Sequence, residues 1–150
     1  MDNPSRATYQ SLVKSYLMID DGDRRVLRDF DLTNRQYHAL HFLSTKGELH
    51  LTELSNCLLC DKSNVTGLVD RLVRDGLVTR VRSKDDRRYL LVSLTEEGRA
   101  RHQEAQKAHY QSVIDRFSFL SDDEQAQFHG LLSKLEAALQ EQLETDDEER

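Results

Sequence analysis

DKSNVTGLVDRLVRDGLVTRVRSKDDRRYLLVSLT, residues 61–95, changes its hydrophobic period partway along, and that change decides the fold. In the first half Val65, Leu68, Val69, Leu72 and Val73 fall at i, i+3, i+4, i+7 and i+8. That spacing is one apolar stripe of an α-helix facing a core. Asp61 or Ser63 can cap this helix, and Gly76 can stop it. Asn64, Thr66, Gly67, Asp70, Arg71 and Arg74 lie on the opposite side. From Leu77 the period becomes two, with Leu77, Thr79 and Val81 on one face and Val78, Arg80 and Arg82 on the other. A second β-rich run, YLLVSL, follows the polar turn SKDDRR, and the pair reads as a β-hairpin.

Upstream, the chain reads mostly as helix. Tyr9, Leu12, Val13, Tyr16 and Leu17 repeat at helical spacing within a helix expected over residues 5–30, with a break expected at DDGD, residues 20–23. Thr33 and Gln36 form a capping box for the next helix, which Gly47 ends. Leu49 to Leu51 is a candidate short strand, and Thr52 a candidate cap for a two-turn helix over ELSNCLL. Downstream, Thr95 caps a long helix to about Phe119, and Ser121 with Glu124 opens a last one. That last helix carries Phe128, Leu131, Leu132, Leu135, Leu139 and Leu143 on one side. The fold class expected is mainly α with a small β-hairpin wing (α+β), a winged helix-turn-helix with terminal dimerisation helices. The DNA-binding lobe spans residues 33–95, the helical dimerisation region residues 1–32 and 96–145, and a frayed acidic tail residues 146–150.

Charge separates along the chain. The net charge is −6, yet the stretch from Lys62 to Arg101 sums to +4. Screening confines exposed charges to a reach of roughly 8–10 Å, so an acidic protein can hold DNA on one basic face. A helix that enters a major groove about 12 Å wide needs small polar and basic groups on its outer side. Lys62, Ser63, Asn64, Thr66, Arg71 and Arg74 meet that need. In the hairpin turn, Lys84, Arg87 and Arg88 would lie along phosphates or enter a narrow minor groove. The aspartates between them, Asp86 included, would shape the turn and hold the arginines in position.

The run DKSNVTGLVDRL, then DGLV, then DDRRYLLVSLTEEG resembles the MarR family of bacterial transcription regulators. The similarity is close over residues 51–99, and the helical order extends it over nearly the whole chain. The N-terminal stretch MDNPSRATYQ lacks a basic-then-apolar signal pattern, so a cytoplasmic protein is expected. The resemblance implies a homodimer that binds double-stranded DNA through two lobes and pairs through its terminal helices. It implies regulation of transcription, commonly repression relieved by a small aromatic or anionic effector, or by thiol oxidation. Ser63, Asn64, Thr66 and Arg71 would face the major groove, with Arg88 in the minor groove and Asp61 as its salt-bridge partner. Gly67 departs from relatives that carry a basic side chain there. Tyr16, Arg35, Tyr37 and His41 are candidate lining groups for an effector pocket.

Other chemistries have weaker support. Cys57 and Cys60 form a C-x-x-C, a spacing used by zinc sites and redox disulfides, but no second pair completes four zinc ligands. A thiol- or metal-dependent redox protein is therefore an alternative, and a winged-helix protein-interaction module is another. His38, His41, His102 and His109 could share a metal, although solvated histidines are far commoner, so neither metal nor cofactor is assigned. No nucleophile–base constellation or phosphate-cradling glycine loop is present, and the expectation is a protein that is not an enzyme. With 150 residues, 37% of them hydrophobic, no apolar run is long enough to span a membrane.

Overall fold

The computed structural model describes residues 3–84, 86 and 88–148, with the side chains of residues 146–148 excepted. Arg87, expected in the wing, and the last two residues of the acidic tail lie outside the described residues. The element order is α1 (Pro4–Leu27), a 3-10 turn (Arg28–Phe30), α2 (Asn34–Lys46), β1 (Leu49–His50), α3 (Leu51–Leu58), α4 (Lys62–Arg74), β2 (Val78–Arg82), β3 (Leu90–Leu94), α5 (Glu96–Phe117) and α6 (Asp122–Glu148). Two compact units emerge, residues 1–112 and residues 113–150.

The first unit holds the core. Leu27, Leu40, Leu54, Val65, Leu72, Leu77, Val78 and Val92 are almost completely buried there. This unit is wider than the lobe expected from sequence, because Leu27 of α1 and Ala105 of α5 join the same core. DDGD does not break α1. The helix runs through it to Leu27, with Asp21 accepting bonds from Arg24 and Arg25. Asn34 donates to both the carbonyl and the carboxylate of Asp20, at 2.8 and 2.7 Å. A mid-helix glycine costs about 1 kcal/mol against alanine, a cost that burial of Leu27 offsets.

The capping box of α2 forms as expected. Gln36 N–H donates to Thr33 Oγ1 at 3.2 Å, and Thr33 N–H donates to Gln36 Oε1 at 2.9 Å. The start of α3 differs from expectation. Leu51 is its first residue, not the end of a strand, and His50 rather than Thr52 takes the N-cap position. Glu53 accepts the His50 N–H at 2.8 Å, so a carboxylate reaching back does the capping.

The sheet has three antiparallel strands in the order β1-β3-β2. Leu49 pairs with Val92, and Val78 through Arg82 pair with Leu94 through Leu90. Strict alternation fails at the mouth of β2. Leu77 and Val78 are both buried, and Val81 is half exposed. The chain leaves α4 through Gly76 at φ 72°, so both residues after the turn face core. Thr95 ties this turn to α5 by donating to Gly76 O at 2.7 Å and accepting from Gly98 N–H at 2.9 Å. A Cβ on Gly98 would sit 1.9 Å from the Leu77 carbonyl oxygen, so only glycine permits this contact.

In the second unit, Glu124 and Ser121 cap α6 reciprocally. Its apolar side is open. Phe128, Leu131, Leu135, Leu139 and Leu143 are all exposed.

Candidate nucleic-acid interface

Helices α3 and α4 meet at a tight turn in which Leu59 adopts φ 48° and Asp61 takes the extended N-cap geometry. The Asp61 carbonyl accepts the Val65 N–H at 3.1 Å, while its carboxylate makes no capping bond. Helix α4 buries Val65, Leu68, Val69 and Leu72. Val73, expected in the same stripe, is 39% exposed because it lies at the stripe's edge in the last turn. The opposite side is bare: Lys62, Ser63, Asn64, Thr66, Arg71 and Arg74 are all exposed. Thr66 donates its hydroxyl back to Lys62 O at 2.8 Å, which leaves its oxygen lone pairs outward. At Gly67 an added Cβ would meet nothing within 4 Å. The fold does not require glycine there, so the missing side chain is a property of the surface.

The wing is organised by Asp86. Its carboxylate accepts the Arg88 backbone N–H at 3.0 Å and the Arg88 guanidinium at 3.0, 3.1 and 2.6 Å. The guanidinium holds the Asp86 carboxyl below the usual carboxylate range, and the carboxylate in turn raises Arg88. Arg88 thus projects into solvent with its fork already oriented. Of the two supports expected for Arg88, Asp86, two residues away along the chain, pairs with it because the turn closes locally, and Asp61 makes no ion pair with it among the described residues. Ser83 N–H bonds Tyr89 O at 2.9 Å, and Tyr89 N–H bonds Asp86 O at 3.0 Å. Lys84 is exposed on the same turn.

One connection was not legible beforehand. Arg80 of β2 pairs with Asp70 of α4 at 2.6 Å, joining the helix's outer face to the strand that leads into the wing. Asp70 therefore neutralises a cation on its own lobe, while Arg71 makes no ion pair among the described residues. Ten residues and a change of period separate the two, so neither helical nor strand spacing reveals the pair.

The four residues expected to line an effector pocket divide into two groups. Tyr16 and Arg35 line a cavity of about 300 Å³ together with His38, Phe42 and Cys57. Tyr37 and His41 are not in that lining. Tyr37 is 5% exposed and sits among four imidazoles, with ring centroids 5.6 Å from His38, 6.2 Å from His41, 5.7 Å from His102 and 4.8 Å from His109. Helical spacing alone does not separate the two groups, because the adjoining positions on α2 face α1 on one side and α5 on the other. Burial, with the neighbouring His41, pushes His102 down, and burial first of all does the same to His38. Both ring nitrogens of His102 are buried, and neither has a hydrogen-bond partner among the described residues. His109 Nε2 lies 3.2 Å from Asp23 Oδ1. Among the described residues no three His, Cys, Asp or Glu side chains converge as metal ligands. Cys57 and Cys60 are free thiols, and Cys60 packs against the core.

A helix pair with an exposed polar second member, followed by an antiparallel wing tipped with an oriented arginine, defines a winged helix-turn-helix protein. The MarR family profile matches residues 30–88. The chain is 32% identical over 108 residues to the uncharacterized HTH-type transcriptional regulator YpoP of Bacillus subtilis (strain 168), covering 72% of this chain and 77% of the relative. The HTH-type transcriptional repressor YetL of the same organism is 28% identical over 142 residues, covering 81% and 85%. A solved structure of Bordetella bronchiseptica BpsR, whose DNA binding is regulated by 6-hydroxynicotinic acid, superposes with a TM-score of 0.79 at 26% identity, covering 87% of this chain and 98% of that one. The chain belongs to the MarR family of transcriptional regulators.

Proposed function

We propose that the chain works as a homodimeric repressor that holds operator DNA with two lobes and is released by a small aromatic or anionic effector. In each lobe α4 lies in the major groove, with Ser63, Asn64, Thr66 and Arg71 at base edges and phosphates. The wing brings Lys84 and Arg88 to the backbone or the minor groove. The observation that carries this reading is the Asp86 clamp, which fixes an otherwise fully exposed guanidinium in one orientation beside a helix with a bare polar face. An oriented arginine loses less conformational freedom on meeting a phosphate than a free one does. Two lobes read half-sites separated by about 10–10.5 base pairs or multiples of it, which requires a two-fold dimer. The open leucine stripe of α6 and the exposed Tyr9, Leu12, Val13 and Leu17 of α1 supply apolar surface for that pairing.

The effector belongs by analogy with BpsR to a class of small aromatic acids, and the 300 Å³ cavity with Arg35 and His38 offers an aromatic wall and a cation. The protein acts by binding, without a catalytic step, and works where the DNA is, in the cytoplasm. No described helix is long and apolar enough to cross a membrane.

The test is an anisotropy titration on duplexes selected from random DNA by the purified protein. Arg88→Ala is expected to weaken binding about tenfold and to lower the salt dependence by about one counterion. Asn64→Ala is expected to relax base preference at one position of each half-site, by about 1–3 kcal/mol. Arg88→Ala binding with unaltered affinity, the dimer intact, would remove the wing from the mechanism.

A further inference from the structure

A second basic surface adjoins α4, and no wing residue is in its lining. Arg24 of α1, Arg28 of the 3-10 turn, Arg35 of α2, and Arg71 and Arg74 of α4 all line one open crevice of about 660 Å³. Four separate elements are needed to assemble it, so no local spacing announces it. Arg24 is engaged by Asp21, and Arg74 approaches Asp75 at 3.7 Å. Arg28, Arg35 and Arg71 make no ion pair among the described residues. Three carboxylates also line the crevice, Asp20, Asp31 and Asp75. Asp20 is bound by Asn34, and Asp75 is approached by Gln36 Nε2 at 3.5 Å. Five guanidiniums against three carboxylates leave the crevice positive, with three forks lacking an anionic partner.

We propose that this crevice binds a small, multiply charged anion of the phosphate class, and that its occupation competes with DNA. Guanidinium forks match phosphate oxygens two at a time, and forks arriving from three elements suit a ligand with several charges. The volume falls in the ordinary range for small-molecule sites. A compact anion fits better than a continuous phosphodiester backbone, which would have to run past Asp20, Asp31 and Asp75. Competition follows because Arg71 and Arg74 belong both to the crevice and to the DNA-facing side of α4. The competition rests on the DNA-binding reading above, whereas the anion site does not.

The experiment is titration calorimetry of the full chain with inorganic tripolyphosphate at fixed ionic strength, beside Arg28→Gln, an exposed position outside the DNA-facing set. Saturable binding in the natural chain, at least about tenfold weaker in Arg28→Gln, is expected. Tripolyphosphate should also raise the apparent Kd for operator DNA more than sodium chloride of equal ionic strength does. That excess should vanish in Arg28→Gln, whose operator affinity without the anion stays within about twofold. Absence of saturable binding, or equal binding by both proteins, overturns the site. Loss of operator affinity in Arg28→Gln with a reduced salt dependence also overturns it, and makes the crevice a backbone contact. Anion binding that depends on Arg28, in a protein that binds no DNA, would uphold the site and sink the DNA reading alone.

Discussion

Helices α4 and α6 carry the same kind of apolar stripe and meet opposite fates. Val65, Leu68, Val69 and Leu72 of α4 are at most 3% exposed, while Leu131, Leu135, Leu139 and Leu143 of α6 are between 40% and 69% exposed. Helix α4 finds its cover within the chain, against α2, α3 and β2. The α6 stripe stays open. Amphipathic spacing therefore says that a face is built to be covered, and the neighbours decide by what. An open apolar face of this length marks an interaction surface, and a second copy of the chain is the occupant proposed above.

Four changes would break or sharpen that contrast. Leu72→Ala should show the largest effect on stability, a loss of about 2–5 kcal/mol in urea unfolding, because it leaves a cavity in a closed core. A loss below about 1 kcal/mol would mean that the α4 stripe is no more committed than that of α6. Leu139→Glu should leave the secondary structure of the lobe intact by circular dichroism while raising the dimer dissociation constant at least about tenfold, since a desolvated charge would enter the pairing surface. Sedimentation velocity reads this directly, and unaltered assembly would show that the stripe serves something else. Thr95→Ala should cost about 1 kcal/mol, the ordinary worth of a helix cap, with the hydrogen bond to Gly76 lost as well.

The smallest expected effect is a slope. His38 and His102 are held below the ordinary imidazole value of 6.5, principally by burial. The unfolded chain therefore takes up protons first as the medium is acidified. Their contribution to stability is complete above about pH 6.5 and is lost as the pH falls towards their folded-state values. The groups facing them are Tyr37 and His41 on α2, His109 on α5, and Asp20 and Asp23 on α1. Asp20 and Asp23 favour the charged form of His38, so the slope should be shallower than two isolated buried imidazoles would give. His102→Phe, which keeps an aromatic body in that place, should flatten the dependence of unfolding free energy on pH between about 5 and 7. A slope unchanged by that substitution would assign it to other groups.

Residues 61–95 were legible because their signals are local. The stripe of α4, the stop at Gly76 and the hairpin all repeat or punctuate within a few residues, and the structure has each of them. The capping boxes at Thr33 and Ser121 formed for the same reason. The departures from expectation were local signals overruled by other contacts, some distant and some nearer still in the chain. DDGD looked like a break, but its carboxylates found partners and Leu27 beyond it found the core. Thr52 looked like a cap, but Glu53 reached back to His50 first. Tyr16, Arg35, Tyr37 and His41 looked like one pocket, but Tyr37 and His41 point into the imidazole cluster. Both Asp61 and Asp86 were expected to brace the wing, and Arg88 pairs with Asp86, the nearer of the two in the chain.

Periodicity, caps and charge order were enough for the helix–helix–wing order and the polar side of α4, and the residue identities over 51–99 for the resemblance to the family, since each depends on neighbours in the chain. The Asp70–Arg80 tie, the clustering of four imidazoles around Tyr37, the contact that only Gly98 admits and the five-arginine crevice depend on separations in space between elements far apart in sequence. Those distances are set by how closed-packed cores fit together, and a one-dimensional pattern does not encode them.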